Sequence, residues 1–204
     1  MEARRSYTLW IVLGIVLVFG FFVGTTYNSL VTLDQSVQAQ WGQVQNVYQR
    51  RADLVPNLVA TVKGAANFEK STYLAVAEAR SKIGQLSPQA IASAPNNLQA
   101  FSQYAQSQDQ LGFALSHLIA VSERYPDLKA SQNFLTLQSQ LEGTENRITV
   151  ERRRYNDVAR AFNTKRDTVP TVFIVGFFGS RFNEKAYFEA QPGAQNVPTV
   201  DFSK

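Results

Sequence analysis

The chain has no cysteine and a single histidine. Without cysteine there is no disulfide, no iron–sulfur cluster and no thiolate zinc site, although compartment stays open. His117, set in HLIAV, lacks the carboxylate three residues earlier that a Glu-x-x-His metal pair would need. It reads as an ordinary solvated or hydrogen-bonded helical histidine. A phosphate loop, a dinucleotide fingerprint and a nucleophile motif are also missing, so no cofactor is expected. Strand signals are scarce. The net charge of +4 is too mild to call for nucleic acid. Finally, no charged residue lies between Arg5 and Asp34.

That uncharged stretch is the first thing the sequence offers. Its apolar centre, Leu9 to Val23, is extended on both sides by Tyr7, Thr8, Gly24 and Thr25-Thr26-Tyr27. About 20 such residues suffice to cross roughly 30 Å of hydrocarbon as a helix. Trp10 and Tyr27 fall near the two ends, where amphipathic rings favour the headgroup level. A cleaved signal peptide also begins with basic residues, but this apolar core is long for one and no A-x-A-like site follows. An uncleaved anchor over 1–28 is expected. Arg4 and Arg5 precede the span and no Lys or Arg follows until Arg50. The positive-inside rule then places the N-terminus in the cytoplasm and the bulk outside.

From Leu30 on, apolar residues recur every three and four positions: Leu33, Val37, Trp41, Val44, Tyr48, Val55, Leu58, Val62, Ala65. This is a helix with one buried stripe. Pro56 sits inside it, where a missing amide and a crowding ring cost about 3 kcal/mol. Two readings stand side by side. The phase passes Pro56 without slipping, which gives one kinked helix from about 29 to 83. Alternatively Asp53 caps a new helix and Pro56 occupies its first turn, where no amide is needed.

The clearest break is SKIGQLSPQAIASAPNN, 81–97. Leu98, Phe101, Ala105, Leu111, Leu115, Leu118 and Tyr125 then mark a helix that stops before Pro126. Asp127 or Ser131 starts another, with Phe134, Leu137, Leu141, Ile148, Tyr155, Val158 and Phe162 on one face, ending near Val169-Pro170. The expected fold is all-α: an N-terminal transmembrane helix, then an antiparallel up-down bundle of three to four long helices over 29–169, four if the chain breaks near Pro56. TVFIVGFFGS is too short to span a bilayer. It is expected within an apolar C-terminal cap, 170–189, although it is also long enough to touch a membrane surface. The polar stretch 190–204 is a loosely held tail.

RRADLVPNLVATVKG, followed by SERYPDLKASQNFLTLQSQLEGTENRITVERRRYNDVARAFNT, resembles the LemA family of bacterial membrane proteins. The ordered set of Tyr-Pro-x-Leu-Lys, Leu-Gln, Thr-Glu-Asn and Tyr-Asn carries the resemblance over most of 25–190. It implies an N-terminal transmembrane helix followed by a helical bundle, in a bacterial cytoplasmic membrane, and it implies no activity. The segment VFIVGFFGSRF is more apolar than the family pattern, and Phe162 stands where a Tyr is common.

Several polar residues stand in apolar phases. Arg51 fills the slot between Tyr48 and Val55, and Glu69 continues the stripe of Leu58, Val62 and Ala65. Thr144 or Glu145 falls between Leu141 and Ile148, and Glu151 or Arg152 fills the next slot, before Tyr155. Buried charges must be paired, so Arg51 and Arg152 are expected to meet Glu69 and Glu145 between helices. Gln138, Asn146 and Asn156 are expected to complete the network. Lys63, Asn57 or an arginine is expected at the carbonyl that Pro56 frees near Ala52. In the basic run 147–166, Glu151 and Asp157 lie four residues after Arg147 and Arg153, so part of it is helix pairing. The expected role is a non-enzymatic, membrane-anchored scaffold that binds an envelope protein or itself, touches lipid through its anchor and does not bind nucleic acid. The alternatives are an accessory subunit of a membrane enzyme or protease, and a metal-binding or catalytic bundle using Glu69, Glu123 and Glu145.

Overall fold

A computed structural model describes residues 2–65 and 68–189, with side chains from Leu9 onward. Arg4 and Arg5 therefore lie outside the described side chains, and the tail 190–204 lies outside the described residues. The elements are α1 (Glu2–Lys63), α2 (Lys70–Gly84), α3 (Pro88–Ser93), a 3-10 turn (Ala94–Asn96), α4 (Leu98–Ser122), α5 (Pro126–Lys129), α6 (Gln132–Asp167), α7 (Thr171–Val175) and a second 3-10 segment (Gly176–Phe182). The expected all-α class holds among the described residues.

One helix runs from the anchor to the far end of the bundle. At 1.5 Å per residue, the 62 residues of α1 extend about 93 Å. Its buried positions, Val37, Trp41, Val44, Tyr48, Arg51, Val55, Leu58 and Val62, alternate in steps of four and three. In α4 the same alternation runs through Phe101, Tyr104, Gln108, Leu111, Leu115 and Leu118. A repeat of about 3.5 keeps one seam turned inward and favours left-handed supercoiling.

Neither reading of Pro56 survives whole. Asp53 does not start a helix: α1 passes through Pro56 without a break. The proline is on the exposed face, where its ring meets solvent. Its missing amide leaves the Ala52 carbonyl one turn back, and the Arg80 Nε of α2 donates to that oxygen at 3.1 Å. Lys63 and Asn57 do not serve it. The helix ends instead at Gly64, whose amide bonds back to the Ala60 and Thr61 carbonyls. The single helix expected over 29–83 is thus two, the first ending at Lys63 and the second starting at Lys70.

Chain direction alternates through the bundle. Tyr48 and Arg51 on α1 face Arg152 and Glu145 on α6, and Ala52 faces Arg80 on α2. The arms are α1 outward, α2 with α3 and the 3-10 turn back, α4 outward and α6 back. After α7 the chain turns at Gly179, whose positive φ of 63° suits glycine. Residues 183–189 then run outward again along the bundle as a non-helical segment that joins no sheet among the described residues, a C-terminal strand only in its side-chain-to-backbone pairing.

Two core clusters follow. The membrane-proximal one gathers Trp41, Tyr48, Phe101, Tyr104, Tyr155, Phe162 and Phe182. The distal one gathers Val55, Leu58, Val62, Leu111, Leu115, Leu118 and Leu141.

Candidate functional site

The polar side chains inside the bundle form three layers. In the first, Arg51 is 2% exposed. Its Nη1 donates to Glu145 Oε1 at 3.1 Å, and its Nη2 donates at 2.6 Å to both the backbone and side-chain oxygens of Gln108. Its guanidinium carbon lies 5.2 Å from the Tyr48 ring centre. Gly112 faces this group: a Cβ there would stand 3.2 Å from Arg51 Nη1. Close approach of helix and guanidinium explains that glycine.

In the second layer, Arg152 Nε donates to the Tyr48 hydroxyl at 2.6 Å and Nη2 to Asp109 Oδ1 at 2.5 Å. The same guanidinium covers the Phe188 ring at 4.9 Å. Burial pushes the Tyr48 phenol well above its ordinary range, against the opposing pull of Arg152. Tyr104 is pushed up to about 12, again by burial, with Gln108 opposing.

The third layer holds the C-terminal strand. Lys185 is 1% exposed; its Nζ donates to Asp34 Oδ1 at 2.5 Å and to Asn96 Oδ1. Two asparagines of α6 read the strand's backbone. Asn163 donates to the Lys185 carbonyl and accepts from the Lys185 amide, both at 2.9 Å. Asn156 does the same to Phe188, at 2.8 and 2.9 Å. Each side-chain amide thereby acts as a strand neighbour, offering one donor and one acceptor to the same residue. The Phe188 ring then enters an aromatic nest, with centroids 4.7 Å from Phe101 and 5.4 Å from Tyr155.

These positions decide the sequence expectations residue by residue. Arg51 meets Glu145, as expected. Glu69 does not meet either arginine: it lies at the distal end, 3.5 Å from Arg124 and 3.2 Å from Thr72 Oγ1. The break between Lys63 and Lys70 removes it from the α1 stripe. Arg152 pairs with Asp109 and Tyr48 rather than with a glutamate. Thr144 is buried and bonds back to the Gln140 carbonyl. Gln138 stays outside the network, bonding Glu142 one turn on, and Asn146 is on the surface. Asp53 accepts from Gln49, Asn57 is exposed, and Lys63 caps the Tyr73 ring at 5.2 Å. Asn156 joins a polar cluster, but its partner is the strand. Tyr155 is fully buried, its hydroxyl has no hydrogen-bond partner among the described residues, and burial raises its pKa. In the basic run, Glu151 pairs with Arg154 and Asp157 with Arg160, each at three-residue spacing, instead of the four-residue pairs expected.

Gln108, Asp109, Asn163 and Lys185 were not anticipated. Gln108 gave the same signal as Arg51, a polar residue in an apolar phase of α4. Lys185 gave none, because an extended strand held by asparagines has no hydrophobic period. Among the described residues, Glu69, Glu123 and Glu145 do not converge, and no group of three or more His, Asp or Glu side chains is placed to hold a metal.

At the other end, the helix from Leu9 onward is apolar and long enough to cross a membrane. Its residues from Leu9 to Phe21 are exposed, Trp10 among them. Tyr27 is half-buried, edge-on to Phe178 and Phe182, and its hydroxyl accepts from Arg181. Anchor and bundle share one helix, and together they define a helical-bundle protein with a candidate N-terminal transmembrane segment.

The sequence matches the LemA family over residues 40–202, and the chain belongs to that family. It is similar to the magnetosome protein MamQ 2 of Paramagnetospirillum magneticum, 26% identical over 188 residues, covering 85% of this chain and 68% of the relative. It is also similar to Protein LemA of Metamycoplasma hominis, 27% identical over 159 residues, covering 78% and 67%. A MamQ of Magnetospirillum gryphiswaldense is 26% identical over 188 residues, covering 85% and 68%.

Proposed function

We propose that the protein is a non-enzymatic scaffold of the bacterial envelope, tethered to the cytoplasmic membrane with its bundle outside. The bundle surface binds another envelope protein or a second copy. One observation carries this reading: the cations inside the bundle, Arg51, Arg152 and Lys185, close on Glu145, Asp109 and Asp34 within the fold. Such closed pairs set the register of helices. Recognition then falls to the surface. A groove of about 400 Å³ between α1 and α6 is lined by Gln43, Val47, Asn146, Arg147, Val150, Glu151 and Arg154. Its rim carries Arg147 and Arg154, the latter paired with Glu151, and the remaining charge of Arg147 suits an acidic group of a partner.

The orientation rests on Arg4 and Arg5 before the span. The experiment is in-cell crosslinking from a photoreactive residue scanned across 147–166 and 171–181, read by mass spectrometry. One dominant envelope protein, or the protein's own peptides, supports the scaffold. Crosslinks to lipid alone would sink it.

A further inference from the structure

The segment after α6 is half packed and half open. Thr171, Ile174 and Phe182 are buried, while Val169, Phe173 and Phe177 project, Phe173 at 72% and Phe177 at 84% exposure. Bulky apolar groups clustered on one short segment mark a contact with something apolar. From Thr168 to Asn183 there is no acidic residue, and the one charge is Arg181.

Height along α1 identifies that contact. Phe178 and Phe182 touch Tyr27 at centroid distances of 5.2 and 5.6 Å, and Arg181 donates to the Tyr27 hydroxyl at 2.6 Å. Tyr27 stands at the end of the apolar stretch of α1, seven residues before the first charge, Asp34. Burial along that helix begins at this level: Phe22 and Val23 are half-buried and Thr26 is 3% exposed, whereas Leu9 to Val18 are open. The segment therefore sits at the membrane-side end of the bundle, with Phe182 in the proximal core and the last turns of the span beside it.

We propose that Thr171–Phe182 is a second membrane contact, a foot lying in the boundary between headgroups and acyl chains, with Phe173 and Phe177 dipping into the lipid. The proposal rests on α1 being a membrane span. Its apolar helix is too short to cross the bilayer, but an interfacial segment buries one face only about 5–10 Å deep. Tyr27 and Arg181 hold the polar level above it. The ring lies at the headgroup depth that such side chains favour, and the guanidinium reaches toward lipid phosphate. Continuity with α1 favours lipid over a protein occupant, since the foot packs against the turn of α1 next to its exposed apolar stretch.

Because the chain has no cysteine, single labels are clean. Full-length protein carrying Ser180→Cys, Val12→Cys or Phe113→Cys, labelled with an environment-sensitive fluorophore, is reconstituted in phosphatidylcholine–phosphatidylglycerol vesicles. The lipids carry a spin-label quencher either near the headgroup or deep in the chain. Residue 180 should be quenched by the shallow label, residue 12 by the deep one and residue 113 by neither. Adding Phe173→Ser with Phe177→Ser should weaken quenching at 180 severalfold, since Phe178, Arg181 and Phe182 still hold the segment on Tyr27, and leave it at 12. If 180 behaves like 113 while 12 is quenched, the foot is not on lipid; oxidative crosslinking of Ser180→Cys between two chains would then assign that face to a second copy. No quenching at 12 would remove the anchor reading and the foot with it. Quenching at 113 would mean that the bundle lies flat, which also overturns the foot. Undiminished quenching at 180 in the serine double variant would refute insertion by the two phenylalanines.

Discussion

The two halves of the bundle share the same arms but are filled differently. The membrane-proximal half is aromatic, with Trp41 ring contacts to Phe101, Tyr104 and Tyr155 at 5.4 to 5.6 Å. The distal half is mainly aliphatic: valines and leucines of α1, α2, α4 and α6 pack together with Phe68 and Phe134, and its buried polar side chains are small hydroxyls, Thr72, Ser122 and Thr144. Arg51 lies at the seam. Only the proximal half takes in a non-helical strand, and only there do asparagines and a buried lysine fix it. Large rings cover wide gaps and fix their neighbours' angles through edge contacts, whereas leucines close helix on helix at ordinary spacing. The contrast teaches that the proximal half is a specified joint next to the anchor, and the distal half a plain coiled-coil end.

The sharpest way to break this comparison is alkaline pH. Tyr48, Tyr104 and Tyr155 all lie in the proximal cluster, and burial raises all three. The unfolded chain loses their protons near the ordinary value of about 10, while the fold holds them. Their stabilisation is therefore complete below pH 10 and is lost as pH rises, for Tyr104 by about 12. Tyr104 alone accounts for about 3 kcal/mol at 1.36 kcal/mol per unit. The buried distal residues include no tyrosine. Trp41 fluorescence should therefore change before the distal amides exchange. Simultaneous loss would refute separate halves.

Next is the seam. Arg51→Ala should destabilise by about 3 kcal/mol in denaturant unfolding, near the low end for a broken buried pair. The reason is that Glu145, 40% exposed, can turn to water. A cost under about 0.5 kcal/mol, the scale of surface substitutions, would mean that the guanidinium is dispensable.

Asn163→Ala should cost about 2 kcal/mol, from lost bonds to Lys185 and Tyr187 at about 1 kcal/mol each, moderated by local release of the strand. Hydrogen exchange should quicken at 183–189 and leave α2 unchanged. Protection that stays intact across the strand would show that Phe188 and Lys185 suffice.

The smallest effect concerns two glycines. Gly143→Ala meets nothing within 4 Å and should stabilise by about 0.5–1 kcal/mol through helix propensity. At Gly112→Ala the same gain is opposed by the Arg51 guanidinium, clamped from two sides, so its melting temperature should fall below that of Gly143→Ala. Equal shifts would show that the seam yields easily.

Periodicity alone reveals most of this architecture. The three-and-four spacing gives α1, α4 and α6, and a charge standing in an apolar phase points to Arg51 and its partner Glu145. Pro56 misleads because a ring on the exposed face, with Arg80 supplying the lost bond, leaves the helix unbroken. The true break between Lys63 and Lys70 is hard to see: it carries one glycine and no proline, and the apolar phase continues through Ala65 into Glu69. The strand is invisible for a different reason. Its address is written in Asn156 and Asn163, which recognise backbone, so nothing in residues 183–189 needs a pattern.

The continuity of α1 has a mechanical consequence. From Tyr27 to Lys63 the helix is a lever of about 55 Å at 1.5 Å per residue. Membrane helices commonly tilt by about 20°. With α1 set in a bilayer, a tilt of that size would swing the far tip sideways by about 18 Å. Changes in bilayer thickness would thus be geared up into displacement of whatever the distal end holds, with no hinge at Pro56 to absorb them.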